Sequence, residues 1–188
     1  MRAVNRSVRR QAARGRLALG VLLLMAAGSA GAQTIGEVPL SVSDSQGRAE
    51  IRLPDGAWRR AVIGRPVPAG SLATTWTDSM VVIEGAQTRV ALAPFSHLEV
   101  TEDGDPLALV LEAGQMDIAT AGEVSVVLAG GAVAVRGRGV ELRVNSREIE
   151  LISGDIEITR PDGSTQRLSR PGRYALGVHT PAPVFTEP

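Results

Sequence analysis

The sequence predicts an all-β domain, and three observations lead to this prediction. No window of about 11 or more residues after residue 33 carries the 3.6-residue apolar period of a helix. Short segments instead alternate apolar and polar residues with a period of two. Between these segments, Pro, Asp and Gly cluster at residues 54–56 and 161–163, where they favour tight turns.

The alternation predicts a series of short strands along the chain. The residue before or after each strand is usually a turn former, which bounds the strand. Val67 is flanked by Pro66 and Pro68, so this segment is expected at a sheet edge or an extended corner. The expected strands cover residues 38–42, 49–53, 79–84, 88–92, 96–100, 107–111, 124–128, 133–135, 140–144, 149–158, 166–168 and 173–176.

Residues 107–158 contain an internal repeat. Residues 108–118 (ALVLEAGQMDI) are echoed by residues 148–158 (EIELISGDIEI), and each segment is centred on a glycine, Gly114 or Gly154. A third β-like segment, 131–144, lies between them. Because a strand–glycine–strand unit at a fixed period is typical of stacked β-coils, a β-solenoid-like fold is predicted, with a β-sandwich as the alternative. The two glycines are expected at corners where a side chain would obstruct the next coil.

The N-terminal 32 residues have the pattern of a secretory signal peptide. An Arg-rich segment ends at Arg16, an apolar run covers residues 17–27, and Ala30-Gly31-Ala32 gives a cleavage site. The apolar run is shorter than the roughly 20 residues that span a membrane. Cleavage after Ala32 is therefore expected, with a periplasmic or secreted mature chain that has no membrane span.

Composition restricts the function classes further. The chain has no cysteine, so disulfides, thiol nucleophiles and cysteine metal sites are excluded. After residue 32 it carries 14 Arg against 20 acidic residues, a formal charge of −6. This acidic balance argues against nucleic-acid binding.

Few residues offer catalytic or metal chemistry. His97 and His179 stand alone, and the adjacent Ser96 and His97 point to opposite faces of a strand, so they do not form a catalytic pair. The acidic residues 102–105 resemble part of a Ca²⁺ loop but lack the later Glu, so an exposed turn is expected. We therefore predict no enzyme activity, no cofactor and no metal site.

Seven segments, taken in order, match the pattern of one known domain: WRRAVIG at 58–64, PAGSLATT at 68–75, VALAPFSHLEV at 90–100, LEAGQMDI at 111–118, AVAVRG at 132–137, LISGDIEI at 151–158 and LSRPGRY at 168–174. Together they resemble the FecR domain, the periplasmic module of iron-uptake regulators. One position departs from the family pattern, because Arg138 stands where the V-x-G-T step of the family has Thr. The resemblance implies a FecR-like domain at residues 57–177, after an extension at 33–56 with one or two strands and before a Pro-rich tail at 178–188.

The resemblance implies a β-solenoid-like fold and a role in protein–protein signalling across a Gram-negative envelope. Regulators of this family also have a cytoplasmic segment and a transmembrane helix. We expect neither in the exported chain, so the anti-sigma mechanism of the regulators is not carried over. We expect an adaptor, sensor or scaffold whose partner is another envelope protein. A cell-wall or polysaccharide-binding module is the alternative.

Four residues are candidate partner anchors. Trp58 and Trp76 are the only indoles, and each either caps an open end of the β-stack or contacts a partner. Arg136 and Arg138 form an R-G-R-G segment that is not followed by a helix, so exposed arginines at a β-corner are expected rather than a phosphate loop.

Overall fold

Thirteen β-strands and no helix make up the residues that the computed structural model describes, 39–128 and 133–176. The prediction of an all-β fold is confirmed. The expected signal peptide, His179 and the Pro-rich tail lie outside the described residues. The strands are β1 (Ser41–Gln46), β2 (Ala49–Arg52), β3 (Trp58–Arg60), β4 (Ser71–Thr75), β5 (Met80–Glu84), β6 (Thr88–Leu92), β7 (His97–Asp103), β8 (Leu107–Ala113), β9 (Gln115–Leu128), β10 (Val133–Asn145), β11 (Glu148–Thr159), β12 (Thr165–Leu168) and β13 (Gly172–Ala175).

Most expected strands are found within a few residues of their predicted ends. Strands β3 and β4 were missed, because the sequence predicted only an edge segment at Val67 between residues 58 and 75, and the strands expected at 133–135 and 140–144 form the single strand β10. β1 runs on to Gln46, beyond the strand expected at residues 38–42, and β7 continues to Asp103 in the predicted acidic turn. Residues 115–128 form one continuous strand instead of two.

All thirteen strands belong to one curled, open sheet that resembles half a barrel. Among the described strands only β8 and β9 pair in parallel, and the other pairings are antiparallel. The predicted stacking of coils is not confirmed. The two repeated segments are not neighbours, because β10 pairs with both β9 and β11 and separates them.

The sheet has two arms that share β9, β10 and β11. In the first arm the strand order is β1-β5-β6-β9-β10-β11-β13, and in the second it is β3-β2-β4-β7-β8-β9-β10-β11-β12. The first half of β9 pairs with β6, and its second half pairs with β8. The three shared strands therefore bend from one arm into the other.

Bulges in β10 and β11 keep one face of the sheet apolar around this bend. In β10 the buried positions change from Val133 and Val135 to Val140 and Leu142, and the pairing register shifts after Arg138. A bulge adds one residue to a strand and so exchanges the faces of the residues that follow. At the bend in β11, Gly154 has φ +90°, and a Cβ on it would lie 2.6 Å from the carbonyl oxygen of Gly139.

The apolar face encloses one core of aliphatic side chains from both arms. Each buried side chain of this size contributes roughly 1.5–3 kcal/mol. Because Val, Ile and Leu fill it, the core needs no large aromatic residue. Its largest fully buried members are Ile51, Ile83, Leu92, Leu98, Leu109, Met116, Ile118, Leu128, Leu142, Ile149, Leu151 and Ile156.

Four connections cross between the arms along one line, which we call the crossing line: residues 47–48, 76–79, 93–96 and 114. Three buried hydroxyl groups hold it together. Thr75 Oγ1 donates to Ala93 O at 2.6 Å and accepts from Ser96 N at 2.9 Å. The Ser79 hydroxyl accepts from the backbone N–H of Arg48 at 2.9 Å.

Ser96 connects the crossing line to β9. Its hydroxyl donates to Gln115 O at 2.9 Å and accepts from Gln115 N at 3.0 Å. Gly114, with φ +88°, makes this approach possible, since a Cβ there would collide with the Oγ and Cα of Ser96. The predicted corner role of Gly114 thus has a specific cause.

Replacing Gly114 with Ala should lower the free energy of unfolding by about 3 kcal/mol, from the left-handed backbone and the collision with Ser96. Gly163→Ala is the matched control, because Gly163 has φ +79° but nothing within 4 Å of its Cβ position. The control should cost about 1–2 kcal/mol. Urea unfolding of both variants measures the difference, and equal losses would contradict the close approach at Gly114.

Ser96→Ala should cost about 1–3 kcal/mol, because it leaves both backbone groups of Gln115 without their partner. Ser71→Ala is the comparison, since Ser71 is equally buried but its hydroxyl has no partner among the described residues. Ser71→Ala should be neutral or stabilising. Calorimetric unfolding distinguishes the two, and a harmless Ser96→Ala would refute the hydroxyl connection.

Candidate interaction surfaces

Ser96 and Asp105, two of the residues considered for chemistry, have structural partners. The hydroxyl of Ser96 is occupied by the backbone of Gln115, and His97 is half-buried at the start of β7. In the acidic turn, Asp105 accepts the backbone N–H of Glu123 at 2.7 Å and lies 3.4 Å from Arg138. Within residues 39–128 and 133–176, no three His, Asp or Glu residues are grouped to hold a metal ion.

The four candidate anchors lie in three places. Trp58 is on the edge strand β3 and is 49% exposed, and Trp76 is on the crossing line and is 43% exposed. Arg136 and Arg138 lie on β10, both exposed. The structure thus brings the two arginines together, and it leaves both indoles available to a partner.

Trp76 belongs to an exposed aromatic corner that the sequence did not indicate. Thr75 N donates to Ser96 O at 3.0 Å, so the backbone of Trp76 lies close to that of Phe95, which is 60% exposed. The guanidinium of Arg48 covers one face of the Trp76 ring, 4.6 Å from its centroid. This corner combines a cation–π contact with an exposed phenyl ring.

Phe95 has a strained backbone. Its φ of +58° lies in the left-handed region, which is rare for a bulky residue. Such strain costs about 1–3 kcal/mol and is often found at functional positions. No sequence signal marks it, because glycine or asparagine is the residue expected at this conformation.

Arg136 and Arg138 line an open groove of about 410 Å³ on the outer face of β9–β12. Arg138 lies 3.7 Å from Glu123, and Arg136 is paired in register with Glu157 of β11. Charges of both signs therefore alternate across the groove. The groove is therefore better suited to bind a protein surface than a polyanion, because a polyanion needs a uniformly basic patch.

A second set of charges lies on the outer face of the first arm. Arg143 donates to Asp117 through Nε at 2.8 Å and through Nη2 at 3.1 Å, and it lies 3.2 Å from Glu150. The hydrogen bond to Asp117 holds the pKa of Arg143 above its ordinary value. The arginine is thus a fixed positive charge between two acids.

The free edges of the sheet are β3, β12 and β13. Each pairs with one strand only among the described residues. The outer edge of β1 is covered at its start, residues 40–42, because Val42 N donates to Arg65 O at 2.9 Å and Val67 N donates to Leu40 O at 2.8 Å. Residues 64–67 thus take the extended edge position predicted from Pro66 and Pro68.

Compared with models of known protein families and with curated protein sequences, the chain matches none. The described residues also contain no helix that is long and apolar enough to cross a membrane. The likeness to the FecR domain therefore stays a prediction from the sequence.

Phe95→Asn should raise the free energy of unfolding by about 0.5–1 kcal/mol, because asparagine accepts a left-handed backbone at lower cost. Little burial is lost, since the ring is mostly exposed. Phe95→Ala retains the backbone strain and should show no such gain. Thermal unfolding measures both, and a destabilised Asn variant would mean that packing of the ring outweighs the strain.

Proposed function

We propose that this chain is a non-enzymatic interaction domain of the FecR type in the bacterial envelope, acting as an adaptor or scaffold in signalling. The observation that carries the proposal is the free edge of β3 with Trp58 exposed on it. A free strand edge binds an extended partner segment through main-chain hydrogen bonds, and neighbouring side chains select its sequence.

The hydrogen bonds of β3 define which backbone groups are free. Leu53 N donates to Ala57 O at 3.0 Å, and Ala61 N donates to Ala49 O at 2.8 Å. In an antiparallel ladder the bonded residues alternate, so residues 57, 59 and 61 face β2. Trp58 and Arg60 therefore direct their N–H and C=O groups outwards, towards an added strand.

Exposed apolar residues occur on β3 and shortly after it. Val62 and Ile63 come two and three residues after the end of β3 and are about half and two-thirds exposed. With Trp58 they add exposed apolar side chains to a segment whose strand otherwise carries Arg59 and Arg60. A tryptophan in this position is typical of the residues that contribute most to protein interfaces.

The location in the envelope rests on the sequence. The signal-peptide pattern ending at Ala32 supports export, and the acidic mature chain supports a protein partner over a nucleic acid. The FecR resemblance of residues 57–177 supports a signalling role and, with the repeat around Gly114 and Gly154, a relation to stacked β-coils.

A cell-wall or polysaccharide-binding module is the second candidate. It is favoured by the exposed rings of Trp58, Trp76 and Phe95, which offer flat apolar surfaces to sugars. Arg48 already covers one face of Trp76, which reduces the surface available there. The protein-interaction role therefore accounts for more of the structure.

A photo-reactive amino acid at position 58 tests the proposal in cells. It should form discrete adducts with an envelope protein, whereas the same amino acid at Glu112, exposed on the interior strand β8, should not. Arg60→Pro should abolish the adducts, because it removes one outward N–H while the ladder to β2 stays intact. N-terminal sequencing of the periplasmic form should begin at Gln33.

Adducts that persist with Arg60→Pro would exclude strand addition at β3. Retention on purified peptidoglycan without a protein adduct would favour the second candidate. An intact Met1 in the membrane fraction would contradict export.

A further inference from the structure

The outer face of β9, β10 and β11 carries charges that alternate from strand to strand. In the first arm the row is Asp117 on β9, Arg143 on β10, Glu150 on β11 and Arg173 on β13. Arg143 lies 2.8 Å from Asp117 and 3.2 Å from Glu150, and Arg173 lies 3.4 Å from Glu150. The charge on each strand is thus balanced by an opposite charge on the neighbouring strand.

The second arm repeats the pattern. Glu123 on β9 lies 3.7 Å from Arg138 on β10, which is paired in register with Asp155 on β11. Asp155 lies 3.6 Å from Arg167 on β12. Both rows therefore run acid, base, acid, base across the sheet.

Both rows end in an arginine on a free edge. Arg167 and Arg173 have side chains that are 73% and 67% exposed, and each contacts an acid on one side only. The next place in each row lies on a strand that would be added to this edge. An acidic side chain there would continue the alternation.

The backbone of the same two residues is directed outwards. Arg160 N donates to Ser164 O at 2.9 Å, and Leu176 N donates to Arg147 O at 2.8 Å. In an antiparallel ladder every second residue is hydrogen-bonded to the neighbouring strand, so the residues of β12 and β13 that bond to β11 are the even-numbered ones. Arg167 and Arg173 therefore offer both free main-chain groups and an unmatched positive charge to an added strand.

We infer that the β12–β13 edge binds an extended, acidic segment of another protein. A second copy of this chain does not fit. Its strands β3, β12 and β13 carry arginine and no acid, so pairing any two of them would place like charges together. The end of β1 that residues 64–67 leave open, 43–46, carries a single acid, Asp44. The partner segment needs two acidic side chains on one face, opposite Arg167 and Arg173.

This edge is separate from the β3 edge. The two lie at opposite ends of the second arm, with seven strands between them. A chain that binds a partner strand at each end would connect two proteins through one continuous sheet. The inference thus extends the proposed adaptor role without depending on β3.

A pair of fluorescent peptides tests the inference with the purified chain. The acidic peptide Thr-Glu-Val-Glu-Val-Glu-Val-Glu-Thr has its first and last Glu six residues apart, as Arg167 and Arg173 are. It should bind about tenfold more tightly than the same peptide with Lys in place of Glu, measured by fluorescence anisotropy at about 0.05 M NaCl. The preference should weaken at about 0.5 M NaCl, where surface charges are screened. Amide NMR shifts should map the contact to β12 and β13.

The double variant Arg167→Glu with Arg173→Glu should reverse the preference and bind the lysine peptide. Arg59→Glu with Arg60→Glu is the matched control, because it changes the net charge equally at the β3 edge and should leave the preference unchanged. Equal binding of both peptides, or none, would overturn the inference. Shifts confined to β3 and lost in the control would also overturn it, while leaving the proposed β3 function intact.

Discussion

The contact between the Ser96 hydroxyl and the backbone of Gln115 is the interaction on which the sheet depends. It exists because Gly114 has no side chain. The connection from β6 to β7 and the connection from β8 to β9 can therefore cross between the arms within hydrogen-bonding distance of each other. Buried backbone groups at such a crossing need partners that a regular ladder does not supply. Thr75 and Ser79 provide them for the neighbouring connections, so three small hydroxyl groups replace ladder hydrogen bonds along one line.

The curl of the sheet follows from the way its longest strands bend. β9 keeps a strict alternation of buried and exposed residues, whereas β10 and β11 each exchange faces at their bulges. The glycines at these bulges lie against each other, with no space for a Cβ on Gly154. As a result both arms present small aliphatic residues to one core, and charged residues stay on the outer face, where they form the alternating rows.

Much of the fold was accessible from the sequence, because period-two alternation and turn residues act locally. The strands at Thr88–Leu92 and Ala49–Arg52 follow directly from that pattern. The arrangement of the strands could not be predicted, since the similar segments around Gly114 and Gly154 lie at two different bends of one sheet and are separated by β10. The exposure of Phe95 and the ion pairs that end at Arg173 depend on long-range register, which no local pattern encodes.

One consequence of the bend in β9 concerns how the chain folds and unfolds. Since this strand is hydrogen-bonded to β6 in one arm and to β8 in the other, neither arm has a complete apolar face without it. The two arms are therefore one cooperative unit rather than two subdomains, and partial opening of one exposes the core of both. Many of their contacts join distant parts of the chain, so the collapse to this state is expected to be slow compared with that of a helical domain of equal length.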